Sequence, residues 1–195
     1  MNHWFESDSQ DADNKLLGAD EKLRVDLNGL KHFARLFSYD ARFYYGHDAQ
    51  STNPLGFITA AKAIFGKHRV VTKPMQKVRH HLTDDELPKN TRSLRRDNEG
   101  IYVHIPKCNF DVEMTIDAIR LMPQYDTLAL FSSDADFVSL ARHLTRNGKK
   151  VILIKGGNIT SGLRKEVTKV INAQDIKRHI AQKQRPGTRP GLANR

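Results

Sequence analysis

Two aspartates, Asp134 and Asp136, follow the apolar run TLALF and precede the amphipathic segment DFVSLARHL. This pattern predicts a strand that gives way to a helix, and a helix start needs a side-chain oxygen for its free N–H groups. One carboxylate, or a hydroxyl of the preceding serines, is sufficient for that purpose. Two carboxylates also suit a second role, as oxygen ligands of a hard divalent cation. At this stage both interpretations are open.

Two further acids lie at the ends of other predicted elements. Asp26 ends the strand pattern LRVDL, and Asp111 lies in the first turn of the helix pattern in NFDVEMTID. Each acid has an ordinary explanation as a helix cap. In a parallel sheet, however, the carboxyl ends of the strands meet at one edge, so neighbouring strands would bring these acids together with Asp134. Crowded carboxylates repel one another unless a cation neutralises them, and we therefore expect a site for Mg²⁺ or Mn²⁺.

The elements that position these acids alternate between short apolar runs and amphipathic segments. This order predicts an α/β fold with a mostly parallel sheet that is covered by helices on both faces. Within it, the segment DVEMTIDAIRLM is predicted to be a helix that buries Val112, Ile116 and Ile119. No glycine-rich dinucleotide fingerprint and no phosphate-binding loop motif is present, which argues against a nucleotide cofactor.

Composition narrows the function classes. The net charge is +10, and the six acids among the first 22 residues make the rest of the chain still more basic, which favours a polyanionic partner such as a nucleic acid. The single cysteine, Cys108, indicates a reducing, cytoplasmic environment. No apolar run approaches the roughly 18 residues of a membrane helix, so no membrane association is expected. The sequence is compatible with a homo-oligomer.

Three regions are predicted along the chain. Residues 1–22 form an acidic, flexible N-terminal segment, residues 23–182 form the main domain, and residues 183–195 form a basic, disordered tail. Within the main domain, residues 73–100 are polar and basic in clusters. They are predicted to be an insertion loop, or a loose hairpin that closes through IYVHIPK, before the helix that bears Asp111.

The stretch from Lys107 to Ile154, KCNFDVEMTIDAIRLMPQYDTLALFSSDADFVSLARHLTRNGKKVILI, resembles the NYN domain family of PIN-like nucleases. It is similar to the family's lysine and Asp-bearing helix, its Ser-Gly-Asp-x-Asp-Phe strand end, and its Gly-Lys-x-Val lead into the next strand. The likeness is strong over about a quarter of the chain and loose over residues 23–180. It implies a Rossmann-like, three-layer fold and a metal-dependent ribonuclease, with endoribonuclease activity expected.

The resemblance also assigns roles to individual residues. It implies that Asp26, Asp111, Asp134 and Asp136 are catalytic and hold the metal ion, while Asn28, Asp117 and Ser133 are supporting candidates. Lys107 and Lys155 are candidates for contact with the nucleic-acid backbone. Three features depart from the family pattern: Ser133 replaces a glycine, Asn28 follows Asp26 by two residues rather than three, and one extra residue lies between Lys107 and Asp111.

Other functions are consistent with part of this pattern. The departures at Asn28 and Ser133 favour a nucleic-acid-binding module that has kept the fold and weakened the catalysis, whereas the four retained acids favour an active nuclease. A glycosyltransferase-like Asp-x-Asp site suits a longer chain. A phosphatase with an aspartate nucleophile would have Asp-x-Asp at the first strand, where this chain has Asp-Leu-Asn.

Overall fold

The computed structural model of the chain describes residues 22–49, 54–89 and 92–184. Helices and parallel strands alternate along these residues, which confirms the predicted α/β class. The strands are β1 (Lys22–Val25), β2 (Phe43–His47), β3 (Val70–Pro74), β4 (Gln76–His81), β5 (Arg95–Asp97), β6 (Gly100–Lys107), β7 (Thr127–Phe131), β8 (Lys150–Lys155), β9 (Lys169–Asn172) and β10 (Ala181–Gln184). The α-helices are α1 (Leu27–Arg35), α2 (Pro54–Phe65), α3 (Asp111–Leu121), α4 (Val138–Arg146), α5 (Ser161–Glu166) and α6 (Ala173–Ile180).

The chain divides into two compact units. Of the described residues, those up to Ala41 and those from Asp111 to Gln184 form the first unit, and those between Arg42 and Phe110 form the second. Within the described residues, no helix combines the length and the apolar character that crossing a bilayer requires. The predicted flexible segment lies outside the described residues except for Lys22, which is in β1.

The first unit is built on a parallel sheet of β7, β8 and β9, with β8 in the centre. The apolar run of β8 is nearly continuous because a central strand covered on both faces has no solvent side. Helix α4 packs against the sheet through residues spaced by one helical turn. The buried residues of this core are Ala118, Leu130, Phe137, Leu140, Ala141, Leu144, Val151, Leu153 and Leu163.

Helix α3 forms where the sequence predicts it but turns the opposite apolar stripe inward. Val112, Ile116 and Ile119 were predicted to be buried, yet 69%, 56% and 43% of their surfaces are exposed. The prediction of their burial is therefore wrong. Ala118 is buried instead, and the Tyr125 hydroxyl donates a hydrogen bond of 2.7 Å to its carbonyl oxygen. Both stripes have helical spacing, so periodicity alone did not distinguish them.

A second ladder of the first unit joins the two ends of the described chain. Strand β1 pairs antiparallel with β10, from Lys22 opposite Gln184 to Val25 opposite Ala181. The neighbour of β1 is thus β10, whereas β7 pairs with β8, and the expected pairing of the strands that carry Asp26 and Asp134 is not among the described ladders. The first two residues of the predicted tail belong to β10, and residues 185–195 lie outside the described part.

Helix α1 packs closely against α6 in this region. A side chain at Gly29 would place its Cβ 2.6 Å from the carbonyl oxygen of His179, so only glycine permits this approach. The helix ends at Arg35, and the residues that continue its apolar spacing, Leu36 and Phe37, are exposed.

The second unit contains a parallel pair, β2 and β3, and an antiparallel sheet in the order β4-β6-β5. Strands β4 and β5 lie within residues 73–100 and pair with β6, which contains the segment IYVHIPK. Strand β4 pairs with β6 from Gln76 opposite Lys107 to His81 opposite Tyr102, and β5 pairs on the other side of β6. The described part of the basic insertion before α3 thus contributes two strands to a sheet.

Candidate metal centre

The loop that follows β7 places Asp134 and Asp136. Asp134 is the N-cap of a short 3₁₀ turn, Ala135–Phe137, and its Oδ1 accepts a hydrogen bond of 3.0 Å from the N–H of Asp136. The N–H of Asp134 in turn donates to Ser132 Oγ at 3.1 Å. The capping interpretation is therefore correct for Asp134. It uses one lone pair of the carboxylate, which leaves the others available to a cation.

The 3₁₀ turn is anchored to the core by its last residue. Phe137 is only 2% exposed and lies in the core of the first unit, whereas Asp136, one residue earlier, is exposed to solvent. The alternation of a buried ring and an exposed carboxylate fixes the direction in which Asp136 points. Phe137 thus anchors the turn that carries the two acids.

Asp111 reaches the same place from the first turn of α3. Oxygen atoms of Asp111, Asp134 and Asp136 all lie within 4.8 Å of one another. We call these three residues the aspartate cluster. Asp111 is half-buried and the other two are exposed, so the cluster is open to solvent on one side. Within the described residues, no other group of three acidic, histidine or cysteine side chains is close enough to hold a metal ion.

The donor set of the aspartate cluster fits a hard divalent cation. Carboxylate oxygens are the ligands that Mg²⁺ and Mn²⁺ prefer, and Mg²⁺–O distances are about 2.0–2.1 Å. Two ligands on opposite sides of such an ion are then about 4.2 Å apart. Adjacent ligands are about 3 Å apart. The three oxygens lie within 4.8 Å of one another, so they must approach by up to about 2 Å to share one ion, and the exposed side chains of Asp134 and Asp136 are free to rotate by this amount. Because three like charges at this separation repel, a cation between them lowers the free energy of the folded state.

Ser133 links the aspartate loop to the neighbouring strand. Its Oγ accepts a hydrogen bond of 3.2 Å from the N–H of Gly156, the residue directly after β8. The serine that departs from the family's glycine thus makes a contact that glycine lacks. Lys155, the last residue of β8, donates from Nζ to the carbonyl oxygen of Gly157 at 2.9 Å. The sequence did not single out Gly156; a pair of glycines after a parallel strand was the available signal.

The other predicted site residues of the first unit lie outside the aspartate cluster. Asp26 follows β1 and caps α1, where its Oδ1 accepts a hydrogen bond of 3.0 Å from the N–H of Asn28. Asp117 forms an ion pair with Arg120, with 2.8 Å between Oδ1 and Nη2. Neither acid belongs to the group of close carboxylates in the described residues. Their roles at the site stay predictions.

Lys107, the predicted contact to the nucleic-acid backbone, belongs to the second unit. It is the last residue of β6, it lies opposite Gln76, and it is exposed.

Comparison with known proteins identifies the family. The NYN domain profile matches residues 11–174. The chain is 30% identical over 84 residues to the low amplitude and bright protein LabA of Synechococcus elongatus, a match that covers 43% of this chain and 45% of LabA. It is 42% identical over 59 residues to an uncharacterized protein of Methanocaldococcus jannaschii, covering 29% of this chain and 25% of that protein. The matches thus span less than half the length of either relative.

A solved structure supports the fold. The crystal structure of a protein of unknown function from Vibrio parahaemolyticus superimposes with a TM-score of 0.54 and 20% sequence identity, over 82% of this chain and 83% of that one. At this identity the likeness concerns the fold alone. Because the NYN profile covers most of the chain, from before β1 to the start of α6, this protein belongs to the NYN domain family.

Proposed function

We propose that this protein is a metal-dependent ribonuclease that hydrolyses RNA phosphodiester bonds at the aspartate cluster. The observation that carries the proposal is the convergence of Asp111, Asp134 and Asp136 within 4.8 Å at the end of a parallel strand. Membership of the NYN domain family, a family of PIN-like nucleases, supports a nuclease-type hydrolase with a nucleic-acid substrate. The positive net charge of +10 suits such a substrate.

In this proposal the three carboxylates hold Mg²⁺ or Mn²⁺. A bound divalent cation supplies a water of lowered pKa and neutralises charge on a phosphate. The chain itself contributes position: the hydrogen bond from Asp136 N–H orients the Asp134 carboxylate, and the contact between Ser133 and Gly156 holds the loop to β8. Asp26 is a fourth candidate acid on the resemblance, with Asn28 and Asp117 as supporting residues. Lys155 is a candidate for binding the RNA backbone near the cluster.

The test is cleavage of a labelled single-stranded RNA with Mn²⁺, with Mg²⁺ and with EDTA. Asp134→Asn keeps the size and the capping ability of the side chain but removes its charge. We expect its cleavage rate to fall by two or more orders of magnitude. Asp175→Asn is a matched control, since Asp175 is an exposed acid in the first turn of α6, and it should cleave like the wild type. The proposal is contradicted if the wild type still cleaves the RNA in EDTA and Asp134→Asn cleaves it at the wild-type rate.

A second candidate is an RNA-binding module of the same fold with weakened catalysis. The position of Asp26 favours it, because the fourth acid implied by the family pattern is not part of the close group of carboxylates. Calorimetric titration with Mn²⁺ separates the two functions independently of cleavage. A nuclease should bind Mn²⁺ in the wild type and lose this binding in Asp134→Asn. RNA binding with neither Mn²⁺ binding nor cleavage identifies the module.

A further inference from the structure

The two outer strands of the sheet β4-β6-β5, β4 and β5, expose most of their residues. Every residue of β4 is exposed except His81, which is half-buried. A strand with both faces in solvent contributes little to a core, so its sequence is not selected for burial. In β4 that sequence is QKVRHH, in which four of the six residues carry basic side chains.

Alternation along the strands sorts these side chains onto two faces. Lys77, Arg79 and His81 share one face of β4. In β6, His104 lies opposite Arg79 of β4. Tyr102 of β6 lies between His81 of β4 and Arg95 of β5. Directly opposed residues point to the same face. We call this set the cationic face: Lys77, Arg79, His81, Arg95, Tyr102 and His104.

An aromatic ring supports the centre of the cationic face. Tyr102 is 8% exposed, and the Arg79 guanidinium lies over its ring, 5.2 Å from the centroid. The rings of His81 and His104 contact it at 5.6 and 5.4 Å. This packing orients the Arg79 stem while 62% of its side chain remains exposed. Arg79 is therefore presented to solvent in a restrained position, which lowers the entropy cost of binding an anion.

Acids pair with several members of this face, and Asp97, which alternation places on the same side as Arg95, is part-buried. Asp97 contacts His81 at 3.0 Å and Arg79 at 3.4 Å, and Asp48 contacts Lys77 at 3.3 Å. The pair of Lys77 with Asp48 is exposed and contributes little to stability, so a phosphate oxygen can replace that carboxylate at small cost. Arg95 makes no ion pair within the part of the chain that the structure describes.

We infer that the cationic face binds the sugar–phosphate backbone of a single-stranded nucleic acid. Alternate residues of β4 are about 6.8 Å apart, so Lys77, Arg79 and His81 form a row that can follow a strand of phosphates. A depression of about 460 Å³ opens beside the row, lined by Arg79, His81, Asp97, Asn98 and Glu99. Its amide, carboxylate and imidazole groups complement the hydrogen-bonding edge of an unpaired base, which a duplex does not expose. The inference rests on the proposed function for its choice of polyanion.

Charged residues on an exposed strand also have a simpler role, since they discourage pairing with the edge of another sheet. That role depends on the amount of charge and not on its face. Arg95 and Arg96 are consecutive, exposed residues of β5 that point to opposite faces. They allow the two explanations to be separated with equal changes in charge.

The experiment measures binding of a fluorescein-labelled 20-nucleotide oligouridine by anisotropy, in EDTA, at several salt concentrations. The variant of the face is Arg79→Gln with Arg95→Gln. The matched control is Lys89→Gln with Arg96→Gln, which removes two exposed cations of the same unit that are not members of the cationic face. We expect the first variant to weaken binding about tenfold and to reduce the salt slope by about 1.4, the value for two phosphate contacts of a single strand. The control should change Kd by less than about twofold.

Equal weakening by both variants, or by neither, overturns the inference. The inference is also overturned if the two variants differ as strongly in their binding to phosphatidylglycerol vesicles, since the face would then recognise anionic surfaces in general. Near-identical melting temperatures of the two variants confirm that folding is not the cause. The binding assay in EDTA is independent of the metal. If both variants bind the oligouridine equally and the wild type still cleaves RNA, only this inference is contradicted. If the Arg79/Arg95 variant binds more weakly than the control but the wild type does not cleave RNA, only the proposed nuclease activity is contradicted.

Discussion

Strands β8 and β4 have the same length but opposite surroundings. In β8, Val151, Leu153 and Ile154 are at most 2% exposed, whereas in β4 only His81 is even half-buried. β8 lies between two parallel partners, and β4 has one antiparallel partner, β6. The difference shows two ways to present charge. A parallel sheet collects acids at the shared carboxyl end of its strands, and an exposed antiparallel sheet spreads cations over a face by alternation.

The two arrangements suit different tasks. A metal ion needs oxygens placed to within a fraction of an ångström. The loop that carries two acids of the aspartate cluster is restrained by a buried core and by the hydrogen bonds of Asp134 and Ser133. Binding of a phosphate backbone is long-ranged and tolerates variation in position. The cationic face can therefore be built from a sheet that buries little surface.

The largest expected effect tests the claim that the parallel sheet holds the core. Leu144 in α4 is fully buried, and Leu144→Ala should lower the free energy of unfolding by about 2–5 kcal/mol, because it removes apolar contacts and leaves a cavity. Val78→Ala in β4, where Val78 is 37% exposed, should cost less than about 1 kcal/mol. Guanidinium unfolding measures both. Equal losses would remove the contrast between the two sheets.

The second prediction concerns metal binding by the aspartate cluster. Mn²⁺ at 100 times its Kd should stabilise the wild type by about 2.7 kcal/mol, and Asp134→Asn should lose most of this gain. Without metal, Asp134→Asn should melt at a higher temperature than the wild type, since it relieves repulsion among three carboxylates. Thermal melts with and without Mn²⁺ test both parts. Asp175→Asn is the control, and a gain that survives in Asp134→Asn counts against a metal at this site.

The third prediction concerns the orientation of α3. Ala118→Leu should destabilise the protein by about 1–3 kcal/mol, because Ala118 is buried and a larger side chain overpacks the core. Ile116→Gln, on the exposed stripe of the same helix, should change stability by less than about 0.5 kcal/mol. The midpoints of chemical unfolding give both values. The reverse order would restore the orientation that the sequence predicted.

The smallest expected effect belongs to the antiparallel sheet. The hydrogen bond from His81 is the main cause that holds the pKa of Asp97 below its ordinary value of 3.8. A depressed pKa gives stability that is present above 3.8 and is lost as the pH falls through the folded value. Wild type should therefore lose slightly more melting temperature between pH 5 and pH 3 than Asp97→Asn does. Parallel pH profiles of the two proteins would show that the bond with His81 is not formed in solution.

The sequence by itself determined the order and type of most elements. Apolar runs such as TLALF and KKVILIK mark strands, the spacing of Leu140 and Leu144 marks a helix, and the acids at the end of β7 indicated a cap and a metal site. These signals are local, because the periodicity of a segment and the residues at its ends depend on the backbone conformation of that segment alone. The resemblance of the stretch from Lys107 to Ile154 to the NYN domain family rests on the same kind of local sequence pattern.

Only the tertiary structure decided which elements meet. Helix α3 has two apolar stripes, and the choice of Ala118 over Ile116 depends on the sheet against which the helix packs. The pairing of β1 with β10 likewise depends on residues more than 150 positions apart, and it leaves Asp26 as a helix cap outside the group of close carboxylates. The grouping of Asp111 with Asp134 and Asp136 has the same origin. Burial and strand pairing are properties of pairs of elements, so no single segment of the sequence encodes them.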